Sequence, residues 1–165
     1  MHRKTTEPMK KYTFPFAETK GTIPFIRFPM ADGRVVYALV DTGSGSTILD
    51  RSLMTDYPDL FKSVASKGKT NFVGIAGSRE VEAEFARIDI PMETAGAGEG
   101  NLRILGILDD LSPLSDSVKR ILGTPETMTV LIGSDCLRAY DAKIDLKKGN
   151  ITFSVKENKK MKKAC

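Results

Sequence analysis

One histidine and two cysteines are all that this 165-residue chain offers to nucleophilic or zinc chemistry. His2 stands in a polar, basic start expected to fray, so neither a Ser-His-Asp nor a Cys-His relay is supported. Cys136 and Cys165 with a single histidine cannot complete a tetrahedral zinc set, and no metal or other cofactor is expected. Two cysteines also fall short of a disulfide framework, so the fold must stand on its apolar core. Nucleotide motifs are missing as well. Gly43-Ser44-Gly45 opens like a dinucleotide fingerprint, but Ile48 occupies the third glycine position, and no Gly-Lys-Ser/Thr occurs. No apolar run is long enough for a signal peptide core or a membrane span, which points to a cytoplasmic protein if Met1 is the native start. The chemistry left to this chain rests on carboxylates.

What is present reads as one soluble globular domain. Hydrophobic residues make up 41% and charged residues 28% of the chain, a balance that can bury a real core. Residues 12–155 are expected to form the domain, after a flexible lead at 1–11 and before a basic tail at 156–165. The 25 basic residues exceed the 21 acidic ones for a net charge of +4, and five lysines between Lys156 and Lys163 supply much of that excess. Such a tail is a solvated end more often than a binding element. No aromatic residue stands among its lysines to stack a base, so nucleic acid is not an expected partner.

Strands and turns dominate the reading. Thr22 to Met30 and Arg34 to Val40 are apolar arms around Ala31-Asp32-Gly33, a hairpin signal in which Gly33 is free to take positive φ. Val35 to Val40 is an almost unbroken apolar run, as expected of a strand buried on both faces. Ser46 to Leu49 suggests another short strand, followed by a helical segment that Asp50 could cap. Thr70 to Glu84 forms two β-like arms around Gly74-Ile75-Ala76-Gly77-Ser78, and Phe85 to Met92 and Leu102 to Leu108 are further strands. Ser112 to Leu122 has helical spacing. Met128 to Ile132 is a buried strand stopping at Gly133, Ser134 to Tyr140 a short helix, and Ala142 to Phe153 a hairpin.

Asp41-Thr42-Gly43-Ser44 follows the apolar strand directly. A strand that ends in an aspartate, with hydroxyls at Thr42 and Ser44 and backbone room at Gly43, has the parts to hold one carboxylate rigid in a cleft. The same four residues also suit an Asx-type turn with no further role.

Together three segments resemble the aspartic peptidases of the retroviral type. Leu39 to Ser44 is similar to their active-site loop, and Phe72-Val73-Gly74-Ile75-Ala76-Gly77 to their glycine-rich flap. Val130-Leu131-Ile132-Gly133, followed by Ser134-Asp135 and a helix, is similar to their hydrophobic-Gly segment. The resemblance spans Pro24 to Phe153 and implies an all-β, closed barrel-like half of a two-fold homodimer, closer to cellular and bacterial members than to compact viral ones. It implies that Asp41 is the catalytic carboxylate and that Thr42 bonds the partner's loop across the dimer axis. Gly43 would give backbone room, Ser44 would support the loop, and Val73 to Gly77 would close over a peptide or protein substrate. Leu131, Ile132 and Gly133 would pack behind the loop. Asp135 is read as a helix cap.

Hydrolysis of a peptide without metal or covalent intermediate needs one carboxylate as base and another as acid. No second Asp-Thr-Gly or Asp-Ser-Gly exists in the chain, so the second must come from another copy. The implied function is a homodimeric aspartic endopeptidase. The alternative keeps the fold without the chemistry, as a peptide-binding or scaffolding dimer. The lysine-rich end is unsuited to a buried interface strand, which leaves Lys10 to Phe16 or another element to join the copies. A further expectation is that the Ser44 hydroxyl donates to the catalytic carboxylates and favours their ionised form.

Overall fold

The computed structural model describes residues 8–18, 23–74, 77–123 and 128–157. Among these residues ten strands occur in chain order: β1 (Met9–Pro15), β2 (Phe25–Pro29), β3 (Val35–Val40), β4 (Ile48–Asp50), β5 (Phe61–Gly74), β6 (Gly77–Pro91), β7 (Asn101–Asp109), β8 (Met128–Ile132), β9 (Lys143–Asp145) and β10 (Asn150–Lys156). Three short helices join them: α1 (Ser52–Asp56), α2 (Ser115–Leu122) and α3 (Ser134–Ala139). The fold is mostly β.

The strands make two sheets, one of three strands in the order β1-β10-β9 and one of seven in the order β2-β3-β8-β4-β7-β6-β5. The expected closed barrel is not found. Among the described residues the larger sheet ends in β2 and β5, which do not pair with each other, whereas closure requires the outermost strands to bond. The terminal strands are spent instead on a separate small sheet, and the outer part of the β5–β6 hairpin leaves the large sheet altogether. β7 pairs only with Glu84 to Pro91 of β6, while β5 and β6 stay paired with each other out to Gly74 and Gly77. That outer part is a two-stranded arm. It departs where the β5–β6 register shifts between Ala65 and Gly68, as a bulge bends a strand pair out of line.

The core lies between the sheets. Strand alternation turns Tyr12 and Phe14 of β1 and Ile151 and Phe153 of β10 inward, onto Ile26, Phe28 and the β6–β7 isoleucines. Phe14 meets Phe28 and Phe153 edge-on at 5.2 and 5.9 Å between ring centres, contacts that contribute roughly 0.5–1.5 kcal/mol each beyond their burial. β1 starts at Met9, inside the lead expected to be flexible, because Met9 to Lys11 pair with Ser154 to Lys156.

A second apolar cluster covers the opposite face of the large sheet. There α2 lays Val118 and Leu122 against Phe25, Tyr37, Met128 and Leu131. Each of those two helix side chains gains about 1.5–3 kcal/mol by being buried, enough to hold a helix of eight residues too short to persist alone. The helix ends at Gly123 with φ 66°, a left-handed cap that glycine adopts without strain.

Candidate active site

The sheet order dictates how the loop carrying Asp41 must run. β3 and β4 are consecutive in the chain, yet β8 lies between them, parallel to β3 and antiparallel to β4. β3 therefore ends, and β4 begins, at the end of the sheet where β8 terminates. The connection 41–47 must cross the C-terminal end of β8 to join them.

Backbone bonds fix the crossing on both sides. The Asp41 N–H donates to the Ile132 carbonyl at 2.9 Å, continuing the β3–β8 ladder one step past Val40. Farther along the loop, the Ser44 carbonyl accepts the Ser134 N–H at 2.8 Å. Gly133 sits directly beneath. A β-carbon there would stand 2.5 Å from the carbonyl carbon and oxygen of Ser46 and 2.9 Å from the Ser44 oxygen, so only glycine fits. Its φ of −90° and ψ of 179° are open to any residue; the demand is for space alone. Leu131 and Ile132 are buried behind the loop, one on each face of β8.

Asp41 itself is half-buried, and Oδ1 accepts the Gly43 N–H at 2.9 Å. This is the Asx turn allowed by the sequence, and it orients the carboxylate rather than consuming it: among the described residues no bond reaches Oδ2. The Ser44 N–H closes the turn on the Asp41 carbonyl at 3.2 Å. Gly43 is a close fit, since a β-carbon there would lie 3.2 Å from Asp41 Oδ1. Thr42 and Gly43 form the exposed tip of the loop.

Ser44 departs from expectation. Its hydroxyl donates to the Ser46 carbonyl at 2.7 Å. A hydroxyl has one hydrogen to give, so the expected donation to the carboxylate is not made, and Ser44 serves the turn.

The sequence reading missed Thr47 altogether and assigned Asp135 too little. Thr47 is fully buried, and its hydroxyl lies between the Gly133 N–H and the Asp135 carboxylate. Asp135 does not stand at the N-cap position of α3, which Gly133 holds, although its Oδ1 accepts the first-turn N–H of Cys136. The same carboxylate also reaches back to Thr47, a residue 88 positions earlier. The available signal was an aspartate two residues past a crowded glycine.

Of the flap residues, Val73, Gly74 and Gly77 lie in the arm, with Gly74 opposite Gly77; Ile75 and Ala76 lie outside the described residues. Cys136 adds no nucleophile. Burial, aided by the negative charge of Asp135, pushes its thiol up to about 12, so it stays protonated and inert. Among the described residues no group of three or more His, Cys, Asp or Glu side chains could hold a metal ion, and no helix is long and apolar enough to cross a membrane.

No family model and no curated protein sequence matches the chain. Solved structures do, two of them as follows. One is the retroviral protease-like domain of Ddi1 from Leishmania major, 19% identical over 84% of this chain and 97% of that one, with a TM-score of 0.46. The other is a retropepsin-like aspartic protease from Rickettsia conorii, 10% identical over 95% of this chain and 100% of that one, with a TM-score of 0.40. The likeness is to retropepsin-like proteins.

Proposed function

We propose that the chain is one half of an aspartic endopeptidase and that two copies together form the site. The observation that carries this reading is the mounting of Asp41. Its carboxylate projects at the end of a buried strand, oriented by one backbone N–H, on a loop locked to β8 below and exposed at its tip. A rigid mount of this kind is what carboxylate catalysis requires, because general-base action depends on placing one oxygen within hydrogen-bond reach of a water.

One such carboxylate cannot complete the reaction. Two Asp41 side chains, one from each copy, would meet across the two-fold axis, and their mutual repulsion would keep one proton on the pair. The ionised member takes a proton from the attacking water while the protonated member gives its proton to the scissile carbonyl oxygen. The resulting tetrahedral diol collapses as a proton passes to the leaving nitrogen. Thr42, exposed at the tip, would bond the partner's loop and hold the pair in register. The β5–β6 arm, with its backbone edges, would receive an extended peptide as an added strand.

Asp41→Asn tests the reading. The amide keeps the oxygen that accepts the Gly43 N–H, so the fold should persist, while both carboxylates leave the dimer at once. A diverse peptide mixture is incubated with wild type and variant from acidic to neutral pH, and cuts are mapped by mass spectrometry. Cleavage by wild type alone is expected, with specific activity falling on dilution as sedimentation shows dimers dissociating. Full activity in the folded variant, or in a proven monomer, would sink the proposal. A dimer that cuts nothing under any condition would point to the scaffolding alternative.

A further inference from the structure

Thr47 is the one buried polar side chain found among the described residues, and every polar group it has is engaged. Its hydroxyl donates to Asp135 Oδ1 at 2.6 Å and accepts the Gly133 N–H at 3.0 Å. Its N–H donates to Asp135 Oδ2 at 3.1 Å, and its carbonyl accepts the Ile107 N–H from β7 at 2.9 Å. Asp135 Oδ1 also accepts the N–H of Cys136 at 2.7 Å. One residue thus joins the end of the Asp41 loop to the exit of β8, to the first turn of α3 and to β7.

We propose that Thr47 and Asp135 act as a positioning pair for Asp41. Neither is placed to touch substrate. The Asp135 carboxylate grips both donors of Thr47, and the gripped hydroxyl holds the Gly133 N–H. Gly133 follows Ile132, whose carbonyl receives the Asp41 N–H. The chain of bonds fixes both ends of the loop relative to β8, and the orientation of the Asp41 carboxylate follows from the loop. A threonine buried only for its methyl group would be replaced well by valine. Here valine would leave a buried N–H at Gly133 without its acceptor and take from Asp135 Oδ1 one of its two donors, the costly way to lose a hydrogen bond. An exposed carboxylate ordinarily contributes little to a fold; this one closes on both donors of a single buried residue.

The activity arm of the test rests on the peptidase reading, so a second arm is independent of it. Thr47→Val, Thr47→Ser, Asp135→Asn and the Thr47→Val/Asp135→Asn double variant are compared with wild type. The first measurement is kcat and KM on a peptide that wild type cleaves; the second is amide hydrogen exchange by NMR. Thr47→Val and Asp135→Asn should each lower kcat by about tenfold or more at little changed KM, as a displaced catalytic group does. The double variant should be no worse than the poorer single, because both remove one network. Thr47→Ser, which retains the hydroxyl, should stay within about threefold of wild type, as a tolerated core change does. Exchange at Gly43 and Gly133 should quicken in Thr47→Val and Asp135→Asn, while amides of Ile88 and Ile104 in the core do not move. Should Thr47→Val fail to fold, Asp135→Asn at its exposed position decides the matter. Folded variants with unchanged kcat and unchanged loop exchange, or losses that simply add, overturn the proposal. A wild type that cuts no peptide removes the peptidase reading, and the exchange arm then decides the positioning pair alone.

Discussion

Replacing Gly133 by alanine adds one methyl group at the point where the chain crosses itself. That carbon would lie 2.5 Å from two backbone atoms of Ser46 and 2.9 Å from a third at Ser44, and no rotamer can move a backbone aside. Overpacking of a core costs roughly 1–3 kcal/mol. Lifting the loop would also stretch the bond from the Ser134 N–H to the Ser44 carbonyl and that from the Gly133 N–H to Thr47 Oγ1, at about 1 kcal/mol each. The expected loss is about 3–5 kcal/mol, equivalent to a fall in Tm of about 10 °C for a domain of this size. Gly45→Ala is the matched control. Gly45 lies in the same loop, its φ is not in the left-handed range, and a β-carbon there meets nothing within 4 Å, so its effect should stay within about 0.5 kcal/mol. Urea unfolding followed by circular dichroism, at one fixed protein concentration, measures both. Gly133→Ala should also lose activity out of proportion to its unfolded fraction, because the displaced atoms belong to the Asp41 loop. Equal unfolding midpoints for the two variants would refute the crossing geometry.

Other consequences are open to direct measurement. Ser44→Ala should cost about 1 kcal/mol through the lost bond to Ser46 and leave the acidic limb of the rate profile in place; a limb that moves to higher pH would show that the hydroxyl reaches the carboxylates. Cys136 should resist a thiol reagent at pH 8 in a Cys165→Ser background and react only on unfolding; rapid native labelling would contradict its burial. Burial also pushes the Tyr140 phenol up to about 12, from an ordinary value of 10.0, and Cys136 rises to about 12 from 9.0. Both neutral forms are favoured in the folded chain, so their contribution is complete below pH 9 and lost as pH climbs towards 12. Urea midpoints should fall across that range, less steeply in Tyr140→Phe; identical slopes for the two proteins would remove Tyr140 from the account.

Where structure follows from local pattern, it was legible in the sequence. The Gly33 turn, with φ of 84°, and the unbroken apolar strand ending at Asp41 both depend on residues close in the chain. So does the spacing of Val118 and Leu122 on α2. What escaped depends on distant pairing. Lys10 and Lys11 look like a solvated lead, yet Tyr12 and Phe14 give β1 an inward face that only β10 can complete. The polar stretch at Lys62 to Lys69 has no strand signature, and its strand is made by backbone pairing with β6. Arm and following strand were read as separate because Glu84 and Phe85 mark a change of neighbours rather than a break in β6. At the candidate site, the loop and the hydrophobic-Gly strand were found by motif. The Thr47–Asp135 bonds were not, since neither residue carries a local pattern that marks the other.

Exposure along the Asp41 loop is greatest between its two ends. Thr42, Gly43 and Gly45 are exposed, Asp41, Ser44 and Ser46 half-buried, and Thr47 fully buried. The bonds to Ile132, Gly133, Ser134 and Asp135 all hold the base of the loop or its far end; none holds the tip. On the peptidase reading, a half-site shared between two copies would leave such a tip for the other copy to cover. Association can orient a carboxylate cheaply only if each copy already holds its own in place, since ordering a loose loop at the moment of docking subtracts from affinity. The buried end is fixed by the chain's own β8 and α3, and on the peptidase reading the exposed tip at Thr42 would be left for the partner to engage.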